Sequence, residues 1–169
     1  MKRVLSIQDI SCIGKCSLTV ALPIISAMGI ETSILPTSIL STHTMFNDFT
    51  FCDLTDDMEP IKKHWQKEGF SFDAIYTGYL GSEKQITLVK DYFKTFGNTC
   101  KYIIVDPAMA DNGKLYSGFD KDFPLKMAKL CKYADVILPN ISEAAFMTGM
   151  PYPGENASNE CIKDLLLSL

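Results

Sequence analysis

Two aspartates stand just beyond the end of a predicted buried strand. Tyr102–Val105 is a short apolar run typical of a strand. Asp106 follows it, and because Pro107 cannot donate to a sheet ladder, the strand must end there. Asp111 comes five residues after Asp106, in a loop closed by Asn112-Gly113. By themselves these residues are more typical of a capped strand end and a turn. At the carboxyl end of a parallel strand, however, two carboxylates favour a hard cation such as Mg²⁺ with substrate phosphates.

Other predicted strands are also followed by polar residues able to bind a ligand. These residues are, in chain order, Asp9, His43, Thr44, Tyr79, Asn140 and Glu143. Each has a structural alternative: Asp9 can cap a strand, Tyr79 can sit in a surface turn, and Glu143 can cap backbone amides. Because the carboxyl ends of parallel strands meet at one edge of a sheet, we expect these side chains to converge there with Asp106 and Asp111.

Two other candidate features carry no function in this interpretation. The segment DISCIGKC fails as a phosphate-binding P-loop, because Asp9 replaces the first glycine and Cys16 replaces the final serine or threonine. His64 lies among Lys62, Lys63 and Lys67, which is typical of a solvated helix face.

Strands and helices alternate along the chain. Strands are predicted at Arg3–Gln8, Thr32–Thr37, Phe72–Tyr76, Tyr102–Val105 and Ala134–Leu138, and the long loop Ser38–Cys52 can end in an edge strand at Asp48–Cys52. Helices are predicted at Cys16–Met28 (kinked or starting late because of Pro23), at Thr55–Glu68 with Thr55 as N-cap, from the capping box Ser82–Gln85 to about Phe96, from about Asp120 to Lys132, and from Asn140 onward. This order predicts an α/β fold with a mainly parallel sheet and helices on both faces.

Composition narrows the functional classes. The chain of 169 residues is 47% hydrophobic and 21% charged, with a net charge of −4 and scattered basic residues, which argues against binding to nucleic acid or an anionic membrane. Six cysteines without CxxC spacing and only two histidines argue against structural zinc. Free thiols and an N-terminus without a signal peptide favour the reducing cytoplasm.

The last residues form an apolar helical face. Ile162, Leu165, Leu166 and Leu169 fall at i, i+3, i+4 and i+7. No glycine, cap or polar tail follows Leu169, so we expect the chain to be the N-terminal part of a longer protein. An intact mass of 18.8 kDa for the native gene product would contradict this expectation.

With these residues in place, the chain resembles the pyridoxal/pyridoxamine (vitamin B6) kinases of the ribokinase-like superfamily, from Ser6 to about Gly149. The similarity rests on five segments in order: SIQ (Ser6–Gln8), THT (Thr42–Thr44), TGYLGS (Thr77–Ser82), VDPAMAD (Val105–Asp111) and PNISEA (Pro139–Ala144). The resemblance implies a ribokinase-like three-layer α/β/α fold, truncated at its C-terminal side. It also implies ATP-dependent phosphorylation of the 5′-hydroxymethyl group of a B6 vitamer, for pyridoxal phosphate salvage.

The resemblance also implies roles for the residues already singled out. Asp9, His43, Thr44 and Tyr79 would bind the vitamin; Asp106, Asn140 and Glu143 would serve the nucleotide and phosphates; Asp111 and Glu143 would serve Mg²⁺. No catalytic residue is assigned in residues 1–169, because the family's anion-hole glycine motif and its base aspartate lie C-terminal to Leu169. The chain alone is therefore expected to be inactive, and the family further implies a homodimer.

Two departures from the family pattern leave alternatives open. Asp9 and Ile10 stand where many B6 kinases have serine and histidine, and an aspartate is also familiar there in hydroxymethylpyrimidine kinases. Ala110 replaces the usual glycine before Asp111. The alternatives are a hydroxymethylpyrimidine kinase or another ribokinase-like small-molecule kinase, and a non-catalytic vitamin-binding fragment.

Overall fold

Two long parallel strands form the centre of the sheet in the computed structural model, which describes residues 1–154 and 156–169. The strands are β1 (Arg3–Ser11), β2 (Glu31–Leu40), β3 (Phe51–Asp53), β4 (Ala74–Thr77), β5 (Tyr102–Val105), β6 (Ala110–Asp111), β7 (Lys114–Leu115) and β8 (Val136–Ile137). Six of them form one sheet in the order β3-β2-β1-β4-β5-β8. The edge strand β3 is antiparallel to β2, and the other pairings in this sheet are parallel. The predicted mainly parallel sheet is confirmed.

Helices follow the strands on both faces of the sheet. They are α1 (Leu18–Ala27), α2 (Thr55–Lys67), α3 (Glu83–Phe96), α4 (Phe123–Cys131), α5 (Ile141–Thr148) and α6 (Asn159–Ser168), with a 3₁₀ turn at Gly97–Thr99. Within the described part of the chain, none of these helices has the length and apolar character needed to cross a membrane.

The main core lies between one face of the sheet and helices α2, α3 and α4. Leu5 and Ile7 of β1 point into it and pack with Met58 of α2 and Val89 of α3. Because side chains alternate along a strand, Gln8 points to the opposite face, where it borders a cavity with Ile24 of α1. The molecule thus has the α/β/α layering that the strand and helix order predicted.

β1 and β2 are longer than predicted. The sequence indicated a loop from Asp9 to Lys15 and another from Ser38, but pairing continues to Ile10↔Ile39 and Ser11↔Leu40 after a register shift at Gln8. Asp9 therefore lies within a strand and is not its cap. The shift is a local irregularity of the kind that redirects a side chain next to a functional site.

Two helix starts also differ from the prediction. The N-cap of α2 is Leu54, so Thr55 as N-cap was wrong; Asp53 accepts the backbone N–H of Thr55 at 2.9 Å instead. α4 begins at Phe123, and Asp120 receives the backbone N–H of Phe123 at 2.8 Å, as an aspartate in a local turn does.

Candidate functional site

Most of the predicted site residues share one cavity at the carboxyl edge of the sheet. This space, called here the Asp9 cavity, has a volume of about 380 Å³. Five residues singled out in the sequence line it: Asp9, His43, Thr44, Tyr79 and Asp111. A larger cavity of about 500 Å³ lies near the C-terminal end of α6, but it contains none of the predicted site residues and is lined largely by apolar atoms. Chemistry rather than size therefore identifies the Asp9 cavity as the candidate site.

Asp9 is the buried acidic group among the residues that line this cavity. It is only 4% exposed. Ser11 donates to Oδ2 at 3.3 Å, whereas Oδ1 accepts no hydrogen bond from any described residue. Burial raises the pKa of the Asp9 carboxyl, and the nearby hydroxyls of Ser17 and Ser11 offset part of that rise. An orphaned buried acceptor facing a cavity is suited to a ligand that brings an N–H or O–H donor.

His43 also lines this cavity and touches the loop after β1. Its ring packs against Phe46 with centroids 4.8 Å apart. Gly14 lies directly beneath the imidazole, and a Cβ at Gly14 would lie 2.5 Å from Cδ2 of His43. Gly14 also has φ +113°, a conformation that favours glycine. The position of His43 therefore depends on the absence of a side chain at Gly14.

Tyr79 forms a third wall and is held from two sides. Its ring packs 5.6 Å from that of Phe119, which in turn stacks on Phe123 of α4 at 3.9 Å. The hydroxyl of Thr37 in β2 donates to the backbone carbonyl of Tyr79 at 3.4 Å. Burial, and secondarily the negative charge of Asp9, raise the pKa of the Tyr79 phenol. At neutral pH Tyr79 is thus a protonated aromatic wall.

Asp111 lies on a small hairpin that the sequence interpretation described as a loop. β6 and β7 pair through Asp111↔Lys114, with Asn112 and Gly113 forming the two-residue turn. Both turn residues have positive φ, 49° and 71°, which is typical of the type I′ turn that Asn-Gly favours. The Asp111 carboxylate is exposed at the cavity rim and accepts the backbone N–H of Asn112 at 2.9 Å.

The first turn of α5 holds the hairpin in place. Asn140 donates from Nδ2 to the carbonyl of Ala110 at 2.8 Å, and Ser142 accepts the N–H of Gly113 at 2.8 Å. The predicted capping box of Asn140 and Glu143 is confirmed, with both reciprocal hydrogen bonds present. These contacts join the segment PNISEA to the segment VDPAMAD. Asn140 and Ala110, which form the first contact, are 30 residues apart in the sequence.

Glu143 is buried beneath the hairpin, and its two oxygens are both used. Oε1 accepts the N–H of Met109 at 3.2 Å and Oε2 that of Asn140 at 2.8 Å. Glu143 is only 2% exposed to solvent. Burial raises the pKa of the Glu143 carboxyl to about 7, opposed by the backbone amides and increased by the charge of Asp106. Asn140 and Glu143 thus support the edge of the site without lining the Asp9 cavity.

Asp106 lies in a second space, the Asp106 cavity, of about 400 Å³. Tyr79, Ala108 and Lys15 border both cavities, so the two spaces adjoin. Burial raises the pKa of the Asp106 carboxyl, and the phenol of Tyr76 partly offsets this. The predicted residues therefore divide into those that line the Asp9 cavity, Asp106 in the adjoining cavity, and Asn140 and Glu143, which support the hairpin.

Tyr116 is a residue of the site that the sequence interpretation missed. It lines the Asp9 cavity, and its backbone N–H donates to the carbonyl of Met109 at 2.9 Å. Burial raises the pKa of Tyr116 to about 12, together with the charges of Glu143, Asp111 and Asp106. The only sequence signal was its place just after the Asn-Gly turn, which aligns it with Met109 once the hairpin forms.

The carboxylates at this edge fit a magnesium ion that is shared with a substrate. Asp106, Asp111 and Glu143 all contribute to the raised pKa of Tyr116, so the three carboxyl groups lie within electrostatic range of its phenol. Within residues 1–154 and 156–169, no group of three or more His, Cys, Asp or Glu side chains could hold a metal by itself. Mg²⁺ usually takes one or two carboxylates and completes its shell with water and phosphate oxygens. Exposed Asp111 suits a direct ligand, whereas buried Glu143 suits an indirect role through the hairpin.

Comparison with known proteins supports the same family from sequence and from structure. A structure from Bacteroides thetaiotaomicron, described as a phosphomethylpyrimidine kinase and crystallised with pyridoxal, matches with a TM-score of 0.92 and 43% identity over 98% of this chain and 58% of that one. The pyridoxal kinase structure from Lactobacillus plantarum gives 0.88 and 37% identity over 100% of this chain and 60% of that one.

A curated relative gives the same picture at lower identity. The pyridoxal kinase PdxY of Actinobacillus pleuropneumoniae is 27% identical over 98% of this chain and 60% of its own length. The chain thus spans 60% of this relative's length and 58% and 60% of the two solved structures. The phosphomethylpyrimidine kinase family model matches residues 37–168, most of the chain, so this protein belongs to the phosphomethylpyrimidine kinase family.

Proposed function

We propose that the protein to which this chain belongs phosphorylates the 5′-hydroxymethyl group of a vitamin B6 vitamer with ATP and Mg²⁺. The observation that carries the proposal is the convergence of Asp9, His43 and Tyr79 on one cavity that has Asp111 at its rim and adjoins the cavity of Asp106. An aromatic wall and an orphaned acceptor suit a small polar ring. The neighbouring carboxylates suit the metal-bound phosphates of ATP.

Each group has a defined task in this proposal. Asp9 accepts a hydrogen bond from the ring or its substituents, and Tyr79 and His43 hold the ring between them. Asp111 and Asp106 serve Mg²⁺, which when bound neutralises charge on the phosphates. Asn140 and Glu143 hold the hairpin in place, so that Asp111 stays in position for the metal-bound phosphates. Such enzymes act mainly by positioning and charge neutralisation, so the precision of these supports matters more than acid–base chemistry within the chain.

A pyrimidine substrate is the second candidate, because the matching family model is described by that substrate and Asp9 departs from the usual serine. The test is ATP-dependent phosphorylation by the complete gene product, with pyridoxal, pyridoxamine, pyridoxine and hydroxymethylpyrimidine compared at equal concentration. We expect turnover of the B6 vitamers and little of the pyrimidine. Turnover of the pyrimidine alone would replace the vitamin assignment. Binding of pyridoxal without phosphate transfer would favour a non-catalytic vitamin-binding protein.

Gly14→Ala tests the vitamin cavity itself. The added Cβ would meet Cδ2 of His43 at 2.5 Å, so the imidazole must move, and the dissociation constant for pyridoxal should rise by about tenfold, or roughly 1.4 kcal/mol. The matched control is Gly29→Ala. Gly29 also has a positive φ, 77°, but no atom lies within 4 Å of the new Cβ. Both variants should lose about 1 kcal/mol of stability from backbone strain. Pyridoxal affinity is measured by calorimetric titration. Equal affinity in the two variants would show that His43 is not part of the binding site.

Three wider properties also belong to the proposal. We place the protein in the cytoplasm, where its six free thiols would stay reduced. We propose a homodimer, which sedimentation velocity can test. We also propose that residues 1–169 are the N-terminal part of one kinase domain, whose base aspartate lies beyond Leu169. The chain then supplies the vitamin cavity and part of the phosphate region.

A further inference from the structure

We propose that Gln85 is a positioning residue that sets the spacing between two walls of the vitamin cavity. This inference rests on the function proposed above, since it assigns the residue to the same site. Gln85 belongs to α3, does not line the Asp9 cavity, and is only 1% exposed. Its side chain nevertheless connects three segments that lead to that cavity.

The first connection reaches the turn that carries Tyr79. Oε1 of Gln85 accepts the backbone N–H of Gly81 at 2.7 Å, two residues after Tyr79. This bond replaces the reciprocal half of the predicted capping box: Ser82 accepts the N–H of Gln85 at 3.2 Å, but the Gln85 oxygen binds Gly81 and not the N-cap amide. Gln85 therefore holds the turn through its side chain, in addition to the backbone N–H that it donates to the N-cap residue Ser82.

The second connection reaches β2, whose continuation carries His43 and Thr44. Nε2 of Gln85 donates to the carbonyl of Thr37 at 3.0 Å. The hydroxyl of the same Thr37 donates to the carbonyl of Tyr79. Gln85 and Thr37 thus tie β2 to the Tyr79 turn through two separate hydrogen bonds.

The third connection reaches the segment after β3, on the far side of the loop that holds His43. Nε2 of Gln85 lies 2.9 Å from Oγ1 of Thr55 and 3.2 Å from Oδ1 of Asp53. The hydroxyl of Thr55 also donates to Asp53. Burial acts to raise the pKa of the Asp53 carboxyl, but the hydrogen bonds from the Thr55 hydroxyl and amide and from Gln85, with the charge of Lys84, together lower it. A buried amide with every polar atom used is costly to replace and holds its neighbours in one arrangement.

A core residue of α3 would be expected to contribute stability only. A positioning residue should also change substrate affinity, because a shift of one wall by a fraction of an ångström loosens every contact across the cavity. Gln85→Met has a side chain of similar volume and removes the hydrogen bonds that the Gln85 side chain makes. In the complete gene product it should raise the KM for pyridoxal by about tenfold or more, with kcat at saturating pyridoxal within about twofold of the original.

Backbone hydrogen exchange gives a reading that does not depend on the substrate. The Gly81 amide loses its acceptor in Gln85→Met, so its exchange should accelerate relative to the amides within α3. Thr37→Val is a milder second variant, which removes only the hydroxyl that holds Tyr79. It should raise KM in the same direction by a smaller factor, and it keeps the test open should Gln85→Met fold poorly.

Tyr92→Phe is the matched control. It lies on the same helix, is fully buried, and loses one hydrogen bond to α2, from the phenol to the carbonyl of Met58 at 2.6 Å. It should lower the melting temperature while KM and Gly81 exchange stay unchanged. Unchanged KM in Gln85→Met and Thr37→Val, with a melting temperature lowered as in Tyr92→Phe, would overturn the inference. If the original protein phosphorylates no B6 vitamer, the proposed function fails, and unchanged Gly81 exchange would then overturn the role of Gln85 separately.

Discussion

Replacing Asp106 with asparagine in the complete gene product should lower kcat for vitamin phosphorylation by about a hundredfold or more. The dissociation constant for pyridoxal should change by less than about threefold, since Asp106 borders the adjoining cavity and not the Asp9 cavity. The physical reason is the loss of a negative charge at the place proposed for the metal-bound phosphates. Removing one such fixed charge affects the transition state of phosphoryl transfer more than the binding of the ring.

Asp135→Asn provides the control for a lost carboxylate on a neighbouring part of the sheet. Asp135 accepts the backbone N–H of Ile103 at 2.7 Å, near the amino end of β5, whereas Asp106 follows the carboxyl end of the same strand. This control should leave turnover unchanged. Single-turnover rates and pyridoxal titrations of both variants make the comparison. If Asp106→Asn turned over as fast as the original protein, Asp106 would not belong to the phosphate region.

The stability of the protein should fall as the pH rises from about 5 to 8, and Glu143 should account for much of this change. The pKa of its carboxyl is about 7 in the folded protein against an ordinary value of 4.5, mainly because it is buried. The folded state therefore binds more protons than the unfolded state between these values. The stabilisation is complete below about pH 4.5 and is lost as the pH passes through 7, for an order-of-magnitude loss of about 3 kcal/mol. Asp9 and Asp106 act in the same direction, because burial raises the pKa of both.

Glu143→Gln should flatten this dependence in urea unfolding measured at pH 5, 6, 7 and 8. Glutamine has only one acceptor oxygen, so either Met109 or Asn140 loses its hydrogen-bond acceptor and the hairpin that carries Asp111 loosens. Turnover should therefore fall as well, with pyridoxal binding retained. Glu160→Gln, an exposed glutamate in the first turn of α6, is the control and should keep the original slope. A slope in Glu143→Gln equal to that of the original protein would contradict the assignment.

The sequence predicted best those features that depend on a few neighbouring residues. Pro107 ended β5 as expected, and Asn140 and Glu143 formed their capping box. The Asn112-Gly113 turn is a local signal too, although the sequence interpretation did not extend it to a hairpin. The mainly parallel arrangement of the sheet followed from the alternation of strands with helices, because parallel neighbours need crossover connections. These are interactions that short stretches of chain determine.

Strand ends were less predictable when pairing between distant strands decided them. Asp9 and Ser38 looked like loop residues, because polar side chains in these positions are more typical of turns. Instead, β1 and β2 extend each other through Ile10↔Ile39 and Ser11↔Leu40. That pairing places Asp9 inside a strand and buries it. Its orphaned oxygen, the strongest sign of a ligand site, was thus invisible from the sequence alone.

The supporting hydrogen bonds of the site were also outside the reach of the sequence interpretation. Gln85 read as half of a capping box, which correctly predicted the Ser82 bond but not its contacts with Gly81 and Thr37. Tyr116 had no motif of its own. Such roles arise from contacts between residues far apart in the chain, and single-chain patterns contain no information on which partner a buried amide or phenol will meet.

The most direct test of the central claim is a crystal structure of the complete gene product with pyridoxal and ADP bound together. We predict the pyridoxal ring in the Asp9 cavity, between Tyr79 and His43, with a ring or substituent donor within hydrogen-bonding distance of Oδ1 of Asp9. The 5′-hydroxymethyl group should point towards the carboxylates around Asp106 and Asp111, and the ADP phosphates should lie on that side. Pyridoxal bound elsewhere, or in this cavity with its hydroxymethyl group directed away from those carboxylates, would contradict the proposed function.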